Sequence, residues 1–182
     1  MQKTEVAGPV VIVTMRNGEV QKHTFATEAE ALARAAFVAE AVSWIGTPFR
    51  DCADIKGRAG AVDCAMLLTR CAVDTGLVPP FDPRPYPPRW HLHQSRERFI
   101  EWIEGTFRAT PVDVPRLGDV AVFKFGKCFS HGAILANSDE FVHAWYAAQS
   151  CMLSRRDEPL LTNIPLLGAR PVRYYDFWSG RA

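Results

Sequence analysis

The segment Val62-Asp63-Cys64-Ala65-Met66-Leu67-Leu68 decides the fold, because it places a cysteine at the start of a helix predicted to run to about Thr75. A glycine-containing loop precedes this segment, and Gly76 is a typical stop signal. Unpaired N–H groups at a helix N-terminus favour the thiolate of Cys64, a nucleophile, and can also stabilise an oxyanion. A buried, unreactive thiol is the alternative role. Asp63 is predicted to cap the helix rather than to transfer protons.

The chain before this segment predicts a β-hairpin and a helix. Residues 10–25 have apolar strands flanking Asn17-Gly18, a signal for a type I′ turn. Thr27 and Glu30 form a predicted capping box, and the helix is predicted to continue to about Ile45. Its expected apolar face consists of Leu32, Ala35, Ala36, Ala39 and Val42.

The chain after this segment predicts irregular structure, one helix and then β-strands. Residues 79–90 contain six prolines and are expected to be extended, and a helix is predicted over residues 95–105. Strands are predicted at residues 119–125, 131–135, 140–145 and 171–177, with a turn at Asn137-Ser138. Helices followed by antiparallel strands predict an α+β fold.

The composition indicates an ordinary globular protein and gives no sign of a nucleic-acid or membrane partner. The 182 residues are 48% apolar and 23% charged with a net charge of +1, which predicts one globular domain that binds neither nucleic acid nor an anionic membrane. The odd number of cysteines, five, predicts free thiols. Residues 1–15 lack the features of a secretory leader, and no apolar run reaches membrane-spanning length. We therefore expect synthesis in the cytoplasm without a signal peptide and without membrane insertion.

Two histidines on neighbouring predicted strands complete a candidate catalytic set. His131 begins one strand and could act as the base that takes the proton of Cys64 and returns it to a leaving amine. His143 lies on the next strand and could orient the ring of His131. Taken singly, each histidine is more often structural, but a Cys–His–His set over a helix start and two strands is moderately specific.

Other candidate residues surround this set. Cys52 and Asp63 are candidates for oxyanion support, and Trp90, Phe49 and Asp51 are candidates for lining a substrate groove. Alternating histidines at positions 91 and 93 lack a third ligand at zinc spacing, so neither a metal nor another cofactor is predicted.

Five segments resemble motifs of the NlpC/P60 family of cysteine peptidases, and they follow one another along the chain in the same order as in that family. The nucleophile segment 62–68 resembles D-C-S-G-L, and residues 44–49 (WIGTPF) resemble the upstream G-T-P-Y segment. Residues 117–123 (LGDVAVF) resemble P-G-D-[IL]-V-F-F, residues 130–134 (SHGAI) resemble H-V-G-I, and residues 141–144 (FVHA) resemble I-H-A. The resemblance covers residues 40–145 and leaves out residues 1–26 and 146–182.

The resemblance implies a papain-like fold in which helices pack on an antiparallel sheet, here with an added N-terminal hairpin. It implies Cys64 as nucleophile, His131 as base, His143 as the orienting group, and hydrolysis of peptidoglycan stem peptides. We therefore expect a single domain with three parts. These are an N-terminal hairpin extension at residues 1–26, a catalytic core at 27–145, and a C-terminal strand and tail at 146–182. Ala65-Met66 replaces the usual Ser-Gly, and the loop before Cys64 lacks the tyrosine of the family.

Residues 87–93 (PPRWHLH) resemble a branch of the family associated with phage tails and phage-like particles. This branch implies a virion or particle component, with tail or baseplate proteins as partners, that acts in the periplasm or cell wall. Two alternatives stay open. One is a structural tail-tip protein that retains the peptidase fold, and the other is a cytoplasmic thiol amidase or acyltransferase.

Overall fold

The computed structural model describes residues 3–156 and 169–179. Its helices are α1 (Glu28–Ser43), α2 (Cys64–Asp74), α3 (Trp90–His93) and α4 (Arg98–Glu101), the last continuing as a π-helix over Trp102–Thr106. Its strands are β1 (Lys3–Ala7), β2 (Val10–Thr14), β3 (Val20–Thr24), β4 (Asp54–Ile55), β5 (Ala61–Val62), β6 (Thr110–Val112), β7 (Val120–Phe125), β8 (Cys128–Leu135), β9 (Glu140–Trp145), β10 (Ser150–Arg155) and β11 (Val172–Asp176). Residues 1 and 2 of the predicted extension, and residues 157–168 and 180–182 of the predicted C-terminal strand and tail, lie outside the described residues.

A six-stranded antiparallel sheet forms the centre of the fold, in the order β10-β9-β8-β7-β11-β6. Helix α2 packs against β8 and β9, the strands that carry the two histidines, and α1 packs against α2. The α+β prediction is therefore confirmed, with the cysteine helix lying on the antiparallel sheet. The strands β6 and β10 were not predicted.

The N-terminal hairpin is present but belongs to a three-stranded sheet, because β1 pairs with β2. The predicted type I′ turn is wrong, since only Gly18 of the Asn17-Gly18 pair has a positive φ, whereas type I′ requires both. Val11 and Val13 are buried in the main hydrophobic core, and β1 and β2 contact α1. The side chain of Gln21 also bonds Ser138 and Asp139 at the β8–β9 turn, so this sheet docks on the rest of the chain.

The start of α1 is confirmed, and its predicted apolar face is confirmed only in part. Thr27 Oγ1 accepts the N–H of Glu30 at 3.1 Å, as the capping box predicts. Ala35 is buried and Val42 packs against the core, as predicted, but Leu32, Ala36 and Ala39 are exposed. The other buried side chains of α1 are Ala31, Arg34, Phe37, Val38 and Ala41. The buried face also includes a charged residue, since fully buried Arg34 forms ion pairs with Asp119 at 2.7 Å and Asp176 at 2.9 Å. Across the described residues, no helix has both the length and the apolar character to cross a bilayer.

The Pro-rich stretch and the predicted third helix also differ in detail. Residues 79–89 are irregular, as expected, but the predicted helix over residues 95–105 starts only at Arg98 and changes to π-helical geometry at Trp102. Phe99 and Ile103 from this region are buried in the main core, so the segment closes one side of the molecule beside β8.

Candidate active site

Asp63 organises the start of α2, which carries Cys64 as its first residue. One carboxylate oxygen, Oδ1, accepts the N–H of Met66 at 2.8 Å, so the predicted capping role is confirmed. The other, Oδ2, accepts the N–H of Cys52 at 2.7 Å and the hydroxyl of Tyr86 at 2.6 Å. Burial raises the pKa of Asp63, and these three donors oppose the rise. Asp63 therefore joins the helix, the preceding loop and the Pro-rich segment.

The Cys64 thiol lies at the edge of a cavity and against strand β8. Its Sγ donates to the carbonyl of Ser130 at 3.8 Å. Burial, and then the negative charge of Asp63, raise the pKa of Cys64 to about 12, although the N–H groups of Gly132, Cys64 and Ala65 favour the thiolate. The expected resting thiolate is therefore not favoured, because desolvation outweighs the helix N-terminus. Burial therefore favours the neutral thiol over the thiolate.

His131, His143 and Ser154 form a buried chain of hydrogen bonds behind the cavity. His131 Nε2 lies 2.8 Å from His143 Nδ1, and His143 Nε2 lies 2.8 Å from Ser154 Oγ. If His131 Nε2 and His143 Nε2 carry the protons, each donates along the chain and His131 Nδ1 keeps a lone pair. Burial lowers the pKa of His143 to about 3. Burial, followed by the neighbouring His143, holds the pKa of His131 well below its usual value, which favours the neutral form of the ring.

A local irregularity of the sheet sets the position of His131. Strands β7 and β8 pair in regular register from Val120 to Phe123, whose partner is His131, and the register then shifts before Lys124. Such an irregularity redirects the side chains beside it. The ring of His131 packs 5.3 Å from that of Phe125 and 5.0 Å from that of Trp145, measured between centroids.

A cavity of about 450 Å³ opens in front of Cys64 and His131. Its wall includes all three predicted groove residues, Phe49, Asp51 and Trp90, and the helix cap Asp63. The complete lining consists of Phe49, Asp51, Asp63, Cys64, Ala65, Tyr86, Pro88, Arg89, Trp90, His91, Leu92, Phe125, Ser130, His131, Ala144, Trp145, Tyr146, Ala147 and Arg170. Two candidates lie outside the wall. His143 sits behind His131, and Cys52 contributes its backbone N–H to Asp63 while its Sγ donates to Tyr86 O at 3.5 Å.

Tyr86 is a site residue that the sequence analysis missed. It comes from the Pro-rich segment, is 5% exposed, and packs its ring 5.7 Å from that of Trp90. Because its hydroxyl donates to Asp63, it positions the helix start and has no second proton for an oxyanion. A lone tyrosine among six prolines was the only signal in the sequence, and it does not specify a partner 23 residues away.

Three further lining or supporting residues were also missed. Ser154 lies on β10, a strand that was not predicted, and Arg89 and Arg170 lie beside the cavity. Trp145 is 7% exposed and also forms part of the cavity wall. Over residues 3–156 and 169–179, no group of three His, Cys, Asp or Glu side chains is arranged to hold a metal ion.

Comparison with known proteins yields only remote structural similarity. No family model matches the chain, and no curated protein matches it. The fold is similar to the peptidoglycan hydrolase RipB from Mycobacterium tuberculosis, with 13% identity and a TM-score of 0.49 over 80% of this chain and 65% of RipB, less than two thirds of its length. It is also similar to the P60 domain of antigen MAP1204 from M. avium subspecies paratuberculosis, with 15% identity and a TM-score of 0.45 over 70% of this chain and 88% of that domain.

Proposed function

We propose that the chain is a cysteine peptidase of the NlpC/P60 type that hydrolyses amide bonds in peptidoglycan stem peptides. One observation carries the proposal: Cys64 and His131 line the same cavity, and the buried His143–Ser154 pair lies behind the ring of His131. A nucleophile beside a base that is held by a third group is the arrangement that acyl transfer requires. The order of the motifs supports the family, and we propose residues 1–182 as one domain.

The neutral resting pair defines the first chemical step. As Cys64 Sγ bonds to the substrate carbonyl carbon, its proton moves to His131 Nδ1, and the carbonyl π electrons become the charge of an oxyanion. The backbone N–H of Cys64 at the helix start is the proposed donor to that oxyanion. The C–N bond then breaks, His131 gives the proton to the leaving amine, and a thioester remains on Cys64.

Hydrolysis of the thioester completes the cycle. His131 takes a proton from water as the water oxygen attacks the acyl carbon, and the proton returns to Cys64 Sγ as the C–S bond breaks. His143 stays neutral because burial opposes its charging, so it orients His131 without accepting the proton. No net proton is gained or lost by the protein over one turnover.

The activity is tested by digesting purified muropeptides and analysing the products by liquid chromatography and mass spectrometry. Cys64→Ala and His131→Gln are each expected to reduce cleavage by at least about 10³-fold. His93→Gln is the matched control, because His93 is exposed and lies outside the cavity wall. Circular dichroism checks that all variants remain folded. Full cleavage by folded Cys64→Ala would remove the proposal.

The particle association is proposed from the resemblance of residues 87–93 alone. In this proposal the chain is made in the cytoplasm, assembles with tail or baseplate proteins, and acts on the host cell wall during entry. Antibody labelling of purified particles, with an empty-vector culture as control, tests it. Chain found only in the particle-free cytosol would contradict it, whereas particles that carry Cys64→Ala and infect normally would favour a structural role.

A further inference from the structure

The pairing of strand β8 with β9 ends before it reaches the active site. The last pair on that side is Ile134 with Val142. Residues two apart in a strand turn their backbone groups to the same edge, and Ala136 N–H donates to Glu140 O on the β9 side at 2.9 Å. The N–H of Gly132, two residues beyond Ile134, therefore also points to the β9 side, past the last pair of the ladder.

The sulfur of Cys64 lies against this part of β8. Its Sγ donates to Ser130 O at 3.8 Å. The N–H of Gly132 is the group of β8 that favours the thiolate and lowers the pKa of Cys64, in opposition to burial. The sulfur therefore meets two backbone groups of the same strand, a carbonyl that accepts its proton and an N–H that suits its anion.

Gly132 is a glycine for reasons of space. A Cβ atom at this position would lie 2.4 Å from Phe99 Cζ and 2.7 Å from Phe99 Cε1, far inside the distance at which carbon atoms pack. Phe99 is 1% exposed and belongs to α4, which packs against β8. The φ of Gly132 is not positive, so the backbone conformation does not require glycine there. Any side chain at this position must displace either the ring of Phe99 or the strand itself.

We propose that the N–H of Gly132 is a catalytic donor that stabilises the sulfur of Cys64 as it loses its proton, and that Phe99 restricts this position to glycine. When the S–H bond breaks, the proton goes to His131 Nδ1 and the electron pair stays on sulfur. Ser130 O has no proton to offer that charge, whereas the N–H of Gly132 has one. The proposal rests on the proposed function for the role of Cys64 as nucleophile.

Alkylation of Cys64 by iodoacetamide tests the donor without any need for cleavage, because the thiolate is the reactive form. Mass spectrometry of the digested protein separates Cys64 from the other cysteines. Gly132→Ala moves the strand and its N–H, so it is expected to slow alkylation of Cys64 at pH 8 by at least about tenfold. With a synthetic stem peptide, kcat should fall by a similar factor while KM changes less than about twofold. Gly105→Ala is the matched control, because a Cβ at Gly105 meets no atom within 4 Å.

A rescue variant separates the position of the N–H from general damage to the fold. Phe99→Leu removes the Cε and Cζ atoms that a Cβ at Gly132 would meet. The double variant Phe99→Leu/Gly132→Ala is therefore expected to alkylate within about threefold of Phe99→Leu. Wild-type reactivity of Gly132→Ala would overturn the proposal, as would a double variant as slow as Gly132→Ala or equal losses in Gly132→Ala and Gly105→Ala.

Amide hydrogen exchange measured by NMR tests the same contact with Gly132 and Phe99 both in place. Cys64→Ser keeps an atom that can accept an N–H, whereas Cys64→Ala removes it. The amide of Gly132 is expected to exchange at least about tenfold faster in Cys64→Ala than in Cys64→Ser, while that of Ile134, in the paired part of β8, is the same in both. Equal exchange of the Gly132 amide would overturn the donor. Absence of muropeptide cleavage by wild-type protein, with the alkylation and exchange differences intact, would remove the peptidase and keep the donor.

Discussion

Replacing Tyr86 by phenylalanine tests how the start of the cysteine helix is held. The hydroxyl of Tyr86 donates to Asp63 Oδ2 at 2.6 Å, and both side chains are buried. Phenylalanine keeps the ring contacts with Trp90 and Trp102, at 5.7 and 5.5 Å between centroids, and removes only the hydroxyl. The variant therefore isolates one hydrogen bond between two distant segments of the chain.

The magnitude follows from the partners that remain. A hydrogen bond to a charged group contributes about 1.5–3 kcal/mol. Asp63 keeps the N–H groups of Cys52 and Met66, so we expect the lower part of this range, about 1.5–2 kcal/mol. For a chain of 182 residues this corresponds to a fall in Tm of about 3–8 °C. The pKa of Asp63 should also rise further, because Tyr86 is the hydrogen-bond donor that most lowers it.

Urea unfolding followed by circular dichroism at pH 7 measures the loss, and a double-mutant cycle with Asp63→Asn assigns it. Asparagine keeps the ability to cap the helix, so the cycle reports the Tyr86–carboxylate interaction. We expect a coupling energy of at least about 1 kcal/mol. Strictly additive effects of the two substitutions would refute the reasoning, as would a Tyr86→Phe variant as stable as wild type.

Three further predictions concern buried polar groups. Ser154→Ala should leave His143 Nε2 without its hydrogen-bond partner and lower the free energy of unfolding by about 1–3 kcal/mol, as measured by urea unfolding. It should also reduce kcat more than it raises KM, as measured by steady-state kinetics. Because burial lowers the pKa of His143 to about 3, this residue takes up a proton at a higher pH in the unfolded chain than in the folded one. The free energy of unfolding should therefore fall as the pH drops from about 6.5 toward 3. This residue contributes up to about 1.4 kcal/mol per pH unit, and an identical slope in His143→Gln would contradict the prediction. Arg34→Met should cost about 3–5 kcal/mol, because it removes the buried cation that pairs with Asp119 and Asp176, and a loss under 1 kcal/mol in urea unfolding would be inconsistent with that role.

The elements that could be predicted from sequence are those with local signals. Thr27 and Asp63 mark helix starts by side chains that bond three residues ahead, and the Asn137-Ser138 turn joins the two histidine strands as expected. These contacts depend on short sequence separations. The position of Cys64 at a helix start, with His131 and His143 on paired strands, follows from them.

The features that sequence analysis missed depend on contacts between distant residues. Arg34 is buried on α1 and pairs with Asp119 and Asp176, 85 and 142 residues away, so no local signal marks it as part of the buried face. Tyr86 bonds Asp63 from the Pro-rich segment, 23 residues further along the chain. The raised pKa of Cys64 likewise depends on burial, which a helix start in the sequence does not reveal.

Acid-quenched intact-protein mass spectrometry, with peptide mapping, tests most directly whether Cys64 is the nucleophile. Protein mixed with a synthetic stem peptide and quenched during turnover is expected to gain the mass of the acyl fragment on the tryptic peptide that contains Cys64. The adduct should be absent from Cys64→Ala. An adduct on Cys52, or undiminished cleavage by folded Cys64→Ala, would contradict the account.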